Sequence, residues 1–351
     1  MSAEAPAATF LGFTFLQREY RVLRYAIGAT LAMAIALGIG WPMSFLTPVL
    51  SLGFLAAPVR LTFKAGTVFV STVALACLAG LILVEYLLPF PLVFLPFVGL
   101  LLFRLYYAKA NGASPLMATW LLIALLVLPL VGMQQPEVAF FVAGGLVSGA
   151  AVTVILVWLT WAMFPGPPTA SVAAPVPAGS AAPTPDQAVS LRNATLSLAV
   201  VFPAVAVFYT LQWTGSILVL VFIGILSMQP GVVGNIKVGQ ALITGNIFGG
   251  LVSIMFYETL VMVPSFGFMV LLTLLCALTF GQQVFSGRKV GPLYGMAFST
   301  VLLIVASTTT STDEAGSKVL IRVVQMAMAV IYVVVGFGLL ERLTRNKKGL
   351  K

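Results

Sequence analysis

Apolar residues run through this chain in long blocks, and charged residues mark where the blocks end. Two blocks match closely. Lys64 to Glu85 and Lys237 to Glu258 each open on Lys-x-Gly and close on a glutamate 21 positions after the lysine, with no other charge between. Wound as a helix at ~1.5 Å per residue, such a block is roughly 31 Å long, the thickness of a bilayer's hydrocarbon core. Small side chains recur in both at i, i+4 and i+8: Thr72, Ala76 and Gly80 in one, Gly245, Gly249 and Ser253 in the other. A stripe of this kind lets another helix approach closely. Gly66, Gly80, Gly239, Gly245 and Gly249 are therefore the expected helix-packing positions.

Read in the same way along its length, the chain predicts spans over 24–41, 43–59, 65–84, 90–107, 116–133 and 138–163, with a break near Pro91 and Pro96. Residues 164–190 change character: proline and alanine dominate without an apolar period, the composition of an extended linker. The second half then repeats the first over 193–211, 214–229, 238–257, 260–281, 292–308 and 319–341. Leu191-Arg192-x-Ala194 echoes Leu23-Arg24-x-Ala26, Gln229-Pro230 echoes Ala57-Pro58, and Gly291-Pro292-Leu293 echoes Ser114-Pro115-Leu116. The offset grows slowly, as it does when loops gain residues and helices keep register. The expected fold is an all-α polytopic membrane protein of about twelve transmembrane helices in two six-helix repeats, 23–163 and 191–341. Because six is even, the repeats are parallel. A cytoplasmic or interfacial segment, 1–22, precedes them, and a basic tail, 342–351, follows.

Composition excludes a soluble globule. Hydrophobic residues make up 60% of the 351, charged residues 8%, and the mean hydropathy is +1.10, against about 25% charged residues in an ordinary soluble domain. A net charge of +9 suggests nucleic acid in a soluble protein, but here it resolves loop by loop. With the N-terminus inside, all of the 18 basic residues except Lys318 and Arg322 fall on the cytoplasmic side. That is the positive-inside pattern of a multi-pass membrane protein with both termini cytoplasmic, and it leaves no nucleic-acid partner to invoke. Residues 1–17 lack the basic segment of a cleavable signal, so the first span is expected to remain as an anchor.

No catalytic constellation emerges, and the chain is not expected to be an enzyme. It has no histidine; Cys77 and Cys276 lie inside apolar spans as small fillers; and no metal or cofactor is expected. Gly231 to Lys237 misses the spacing of a phosphate-binding loop. What remains is charge at the edges of spans. Lys64 and Lys237 read either as topological anchors or, placed by a pseudo-dyad, as a shared cationic mouth for an anion, with Arg60 and Arg104 as further candidates. Glu85 and Glu258 read either as interfacial charges or as proton-coupling carboxylates.

Six spans per repeat, Lys64-Ala-Gly66-Thr67 (more loosely Lys237-Val-Gly239-Gln240) opening the third span, and Arg24 entering the first together resemble the fusaric-acid-resistance (FUSC-like) superfamily. The resemblance implies a bacterial inner-membrane location and proton-driven efflux of small organic, often aromatic, acids, with a periplasmic membrane-fusion adaptor as partner. The lipid bilayer is the other surrounding partner, and an oligomer is compatible with this reading. Against it stand two alternatives: a passive anion channel, and an anchor or assembly subunit for an adaptor complex. Gln240 replaces the threonine in the second half, and the Pro/Ala linker stands where larger exporters of this kind carry a cytoplasmic domain.

The topology has a direct check. Single cysteines in 164–190 and at Lys347 should be modified by an impermeant reagent only from the cytoplasmic side, and a cysteine at Asp313 only from outside. Modification of the linker from outside overturns both the span count and the parallel repeats.

Overall fold

The computed structural model describes residues 6–10, 13–40, 43, 45–113, 115–164, 187–213, 216–228, 232–288, 290–309 and 315–348. The linker positions 165–186 and the Trp41-Pro42 turn lie outside the described residues. Among the described residues twelve helices follow one another: α1 Gln17–Ile39, α2 Leu46–Ala56, α3 Phe63–Ile82, α4 Pro91–Ala110, α5 Pro115–Gly132, α6 Pro136–Met163, α7 Gln187–Thr210, α8 Ile217–Leu226, α9 Val232–Met262, α10 Phe266–Val284, α11 Gly291–Thr309 and α12 Ala315–Lys348. α3 runs on into a π-helical turn, Leu83–Leu87. Ahead of α1 two short strands, β1 Pro6–Phe10 and β2 Phe13–Leu16, pair antiparallel, a local exception to an otherwise helical chain.

Helix ends follow from local chemistry. Proline opens α4, α5 and α6, where a missing N–H costs nothing. Gly40, Gly112 and Gly287 take φ of 67°, 92° and 73° just past α1, α4 and α10, the left-handed turn that glycine adopts without strain. Ser265 caps α10 by accepting from the Phe268 N–H at 3.2 Å.

Among the described residues, eight helices are long and apolar enough to cross a membrane: α1, α3 with its π-turn, α4, α6, α7, α9, α10 and α12. This fits a multi-pass membrane protein. Of the remaining four apolar helices, α2 and α8, the second of each half, are the short ones, while α5 and α11 run to 18 and 19 residues. α2 and α8 depart most from the sequence expectation of full spans over 43–59 and 214–229. At 11 and 10 residues each is only about 16 Å long. α2 stops because Ala57 turns extended (ψ 140°) ahead of Pro58, a residue that disfavours helix at the position before it.

The chain forms two compact units that do not coincide with the sequence halves. The first, Met1–Val70, Ser148–Pro175 and Thr244–Arg322, holds α1, α2, α10 and α11. There α1 lies along α10 and α2, while α11 packs on α10 and α2. Its core includes Ala26, Ala29, Met33, Phe298 and Val301. The second unit, Ser71–Val147, Val176–Ile243 and Val323–Lys351, holds α4, α5, α7 and α8. α4 lies along α7, α5 packs on α8 and α4, and α7 packs on α8, around Val98, Leu102, Leu122, Val201 and Leu220.

All five glycines singled out from the sequence are buried at close contacts within a unit. A Cβ on Gly66 would lie 2.5 Å from Cζ2 of Trp158, one on Gly80 2.7 Å from a Leu128 methyl, and one on Gly239 2.6 Å from Cγ1 of Val330. Gly245 backs onto Met296, and a Cβ on Gly249 would collide with the Ala297 carbonyl oxygen. Backbone gives way less readily than the end of a side chain. Gly249→Val should therefore cost at least about 3 kcal/mol, read as a large fall in the thermal midpoint of the purified protein. Gly144→Val, with nothing within 4 Å of its Cβ, should leave the midpoint nearly unchanged.

Candidate functional site: a cationic cavity at the foot of α1

The first turns of α1 carry Arg18, Arg21 and Arg24 at i, i+3 and i+6, a spacing that keeps them near one face of the helix. Each meets a different wall of the first unit. Arg18 donates from Nη2 to the Gln282 carbonyl at 3.0 Å, in the last turn of α10, where carbonyls lack helical donors and the dipole favours a cation. The Arg21 guanidinium stands 4.5 Å over the Phe285 ring. Arg24 is only 2% exposed and lies 3.4 Å from the centroid of Trp161, near the end of α6. Among the described residues, Nε of Arg21 and Nε of Arg24 have no hydrogen-bond partner.

Arg21 lines an open cavity of about 540 Å³. α1 contributes Arg21 and Tyr25, α2 contributes Leu52 and Ala56, α11 contributes Met296 and Ser299, and Phe285 closes the side next to α10. Tyr25 and Phe285 meet edge to face with centroids 5.6 Å apart, so one wall is aromatic. Gly281 makes this wall possible, since a Cβ there would lie 3.2 Å from Tyr25 and 3.3 Å from Val22. The chamber is thus lined by one guanidinium, the hydroxyl-bearing Tyr25 and Ser299, and otherwise apolar and aromatic surface. That is the complement of an organic anion, with a charged end for Arg21 and a flat apolar body for the rings.

The basic residues proposed from the sequence are elsewhere. Arg60 and Lys64 are exposed in the first unit, and Arg104 is exposed in the second. Lys237 belongs to α9 within the second unit, but its side chain lies outside the described residues. Neither unit therefore holds both lysines. Glu85 is exposed in the π-turn of the second unit and Glu258 is exposed on α9 in the first. Lys109 turns inward: its ammonium donates to the Met228 carbonyl at 2.6 Å. The sequence signal for the cavity was the arginine spacing on α1. Along the chain alone, positive-inside charge and a binding cation look alike.

Arg24 makes a separable prediction. A guanidinium buried against an indole face is stabilised by about 2 kcal/mol or more, and removing the face leaves the charge buried against nothing. Trp161→Ala should therefore lower the thermal midpoint far more in the Arg24 protein than in an Arg24→Met background. The expected coupling is about 2 kcal/mol, measured as a double-mutant cycle on purified protein; equal losses in both backgrounds remove the interaction.

A family profile described as a protein of unknown function, DUF2955, matches residues 21–160 of this chain. The match begins at Arg21 and takes in α2 through nearly all of α6. A search of the curated proteins returned no match, and neither did a search of the solved structures.

Proposed function

We propose that this chain is a bacterial inner-membrane transporter that exports small organic acid anions, aromatic ones in particular. The observation that carries the reading is the cavity in the first unit, where Arg21 stands beside Tyr25 and Phe285 in a chamber large enough for a benzoate-sized solute. A carboxylate paired with a half-buried guanidinium gains charge-assisted hydrogen bonds, while its ring gains the aromatic wall. Efflux driven by protons and assisted by a periplasmic adaptor follows from the resemblance to the fusaric-acid-resistance superfamily.

Two parallel six-helix repeats remain the proposed plan, supported by several correspondences. The second helix is the short one in both halves. Positive φ occurs at Met43 and Gln212, which follow α1 and α7, and at Gly112 and Gly287, which follow α4 and α10. Adding six to each helix number also turns the packing of α1 on α10 into that of α7 on α4, and α2 on α11 into α8 on α5.

One observation favours the passive channel as a second reading. All four described carboxylates, Glu19, Glu85, Glu137 and Glu258, are exposed, whereas a proton-coupled carrier commonly holds one inside its membrane span. Flux of labelled benzoate in proteoliposomes, with the pH gradient and voltage set separately, decides between them. Uphill movement driven by the pH gradient supports the exporter, and flux that follows only the anion's electrochemical gradient supports the channel.

Arg21 supplies the residue-level test. At ~6 Å and an effective dielectric of about 20 one charge is worth roughly 3 kcal/mol, of which solvent screening leaves about a third. Arg21→Gln should therefore raise half-saturation for benzoate about fivefold at unchanged membrane abundance. Lysine should rescue only in part, because it lacks the planar fork. A rise with Lys64→Gln and none with Arg21→Gln moves the site to the lysines.

A further inference from the structure

We propose that the two units are functionally unequal: the solute chamber is built once, in the first unit, and the corresponding position in the second unit is plugged by its own side chains. That its occupant is an organic anion rests on the reading above; the inequality does not.

The sequence offsets pair the relevant residues. An offset of 168 takes Arg21 to Val189, 172 takes Leu52 and Ala56 to Gly224 and Met228, and 177 takes Met296 and Ser299 to Thr119 and Leu122. In the first unit all five of these positions line the cavity. In the second their counterparts on α5 and α8 close on each other. Leu122 is fully buried, and its Cδ2 lies 2.7 Å from where a Gly224 Cβ would be. Ser299, at the same place on α11, is half-buried at the chamber wall and spends its hydroxyl on the Met296 carbonyl at 2.7 Å.

The second substitution works in the same direction. Met228 is 7% exposed, with its sulfur 3.8 Å from the Thr119 hydroxyl, where the first unit has Ala56 and Met296 in the cavity lining. The arginine is also missing, since Val189 stands in its place. Lys109 of the second unit donates its ammonium to the Met228 carbonyl. Glycine for Leu52 and threonine for Met296 offset the larger Leu122 and Met228, so the second position is filled by contact rather than by added bulk: Leu122 lies on Gly224 and Met228 on Thr119, and valine for arginine removes the charge an anion would need. Steric and electrostatic changes thus close the same position.

Cysteine accessibility tests this without any assumption about the solute. In a chain with Cys77 and Cys276 replaced by alanine, Ser299→Cys and Gly295→Cys probe the chamber, while Leu122→Cys and Ala118→Cys probe its counterpart. The reagent is the anionic sulfonatoethyl methanethiosulfonate, applied to membranes containing the full chain. Modification at Ser299→Cys and Gly295→Cys is expected at least about tenfold faster than at Leu122→Cys and Ala118→Cys. Using two pairs guards against one variant failing to fold. Equal rates within both pairs, or faster modification on the α5 side, overturn the proposal. Benzoate added during the reaction then tests the occupant separately. Slower modification of Ser299→Cys places the anion in the chamber; an unchanged rate alongside the tenfold difference removes benzoate as occupant and leaves the inequality standing.

Discussion

The packing of α1 along α10, and of α4 along α7, is the contact on which everything else depends. Inside a bilayer, helices gain little from hiding apolar surface from one another, because lipid tails are equally apolar. Close fit has to do that work instead. Ala26, Ala29 and Ala36 on α1 are fully buried, and Gly281 brings α10 up against Val22 and Tyr25. In the second unit Gly99 on α4 admits the ring of Phe202 on α7, with Cε2 2.8 Å from where a Cβ would be. The α1–α10 contact also places Phe285 beside Tyr25 and Arg21, so the chamber wall is a by-product of the packing that holds the unit.

Polar residues within the helices are handled so that the packing is not disturbed. Thr30, Thr153, Thr160, Ser253 and Thr273 are buried, and each returns its hydroxyl to the carbonyl four residues earlier, which satisfies the group inside its own helix. Charge is treated differently. Arg18 is stabilised by a helix end, Arg24 by an indole, and Arg21 by a ring at the edge of open space. Of the three, only Arg21 lines the cavity.

Much of the fold was legible because long apolar blocks bounded by charge admit few readings. The matched lysine-to-glutamate blocks pointed to helices, and the glycines within them fall at close contacts. The shortness of α2 and α8 was not legible. Apolar composition continues past Ala56 through Pro58 and Val59, and only the proline hinted that the helix stops there. The exchange of partners between halves was hidden for a related reason. Helices apolar on most faces carry no polar stripe to say which neighbour each face meets. The cavity was missed because its walls come from residues as distant as Tyr25, Ala56, Phe285 and Ser299, and only its arginine belonged to a pattern visible along the chain.

That exchange also sets a timetable for assembly. α1 and α2 are complete by Ala56, yet the helices they pack against, α10 and α11, begin at Phe266 and Gly291. With chains synthesised at ~5–20 residues per second, the wait is roughly ten to forty seconds. During it Arg24 has entered the membrane region without its indole, which arrives only with Trp161. The first unit therefore cannot close until α10 and α11, in the last third of the chain, have been made.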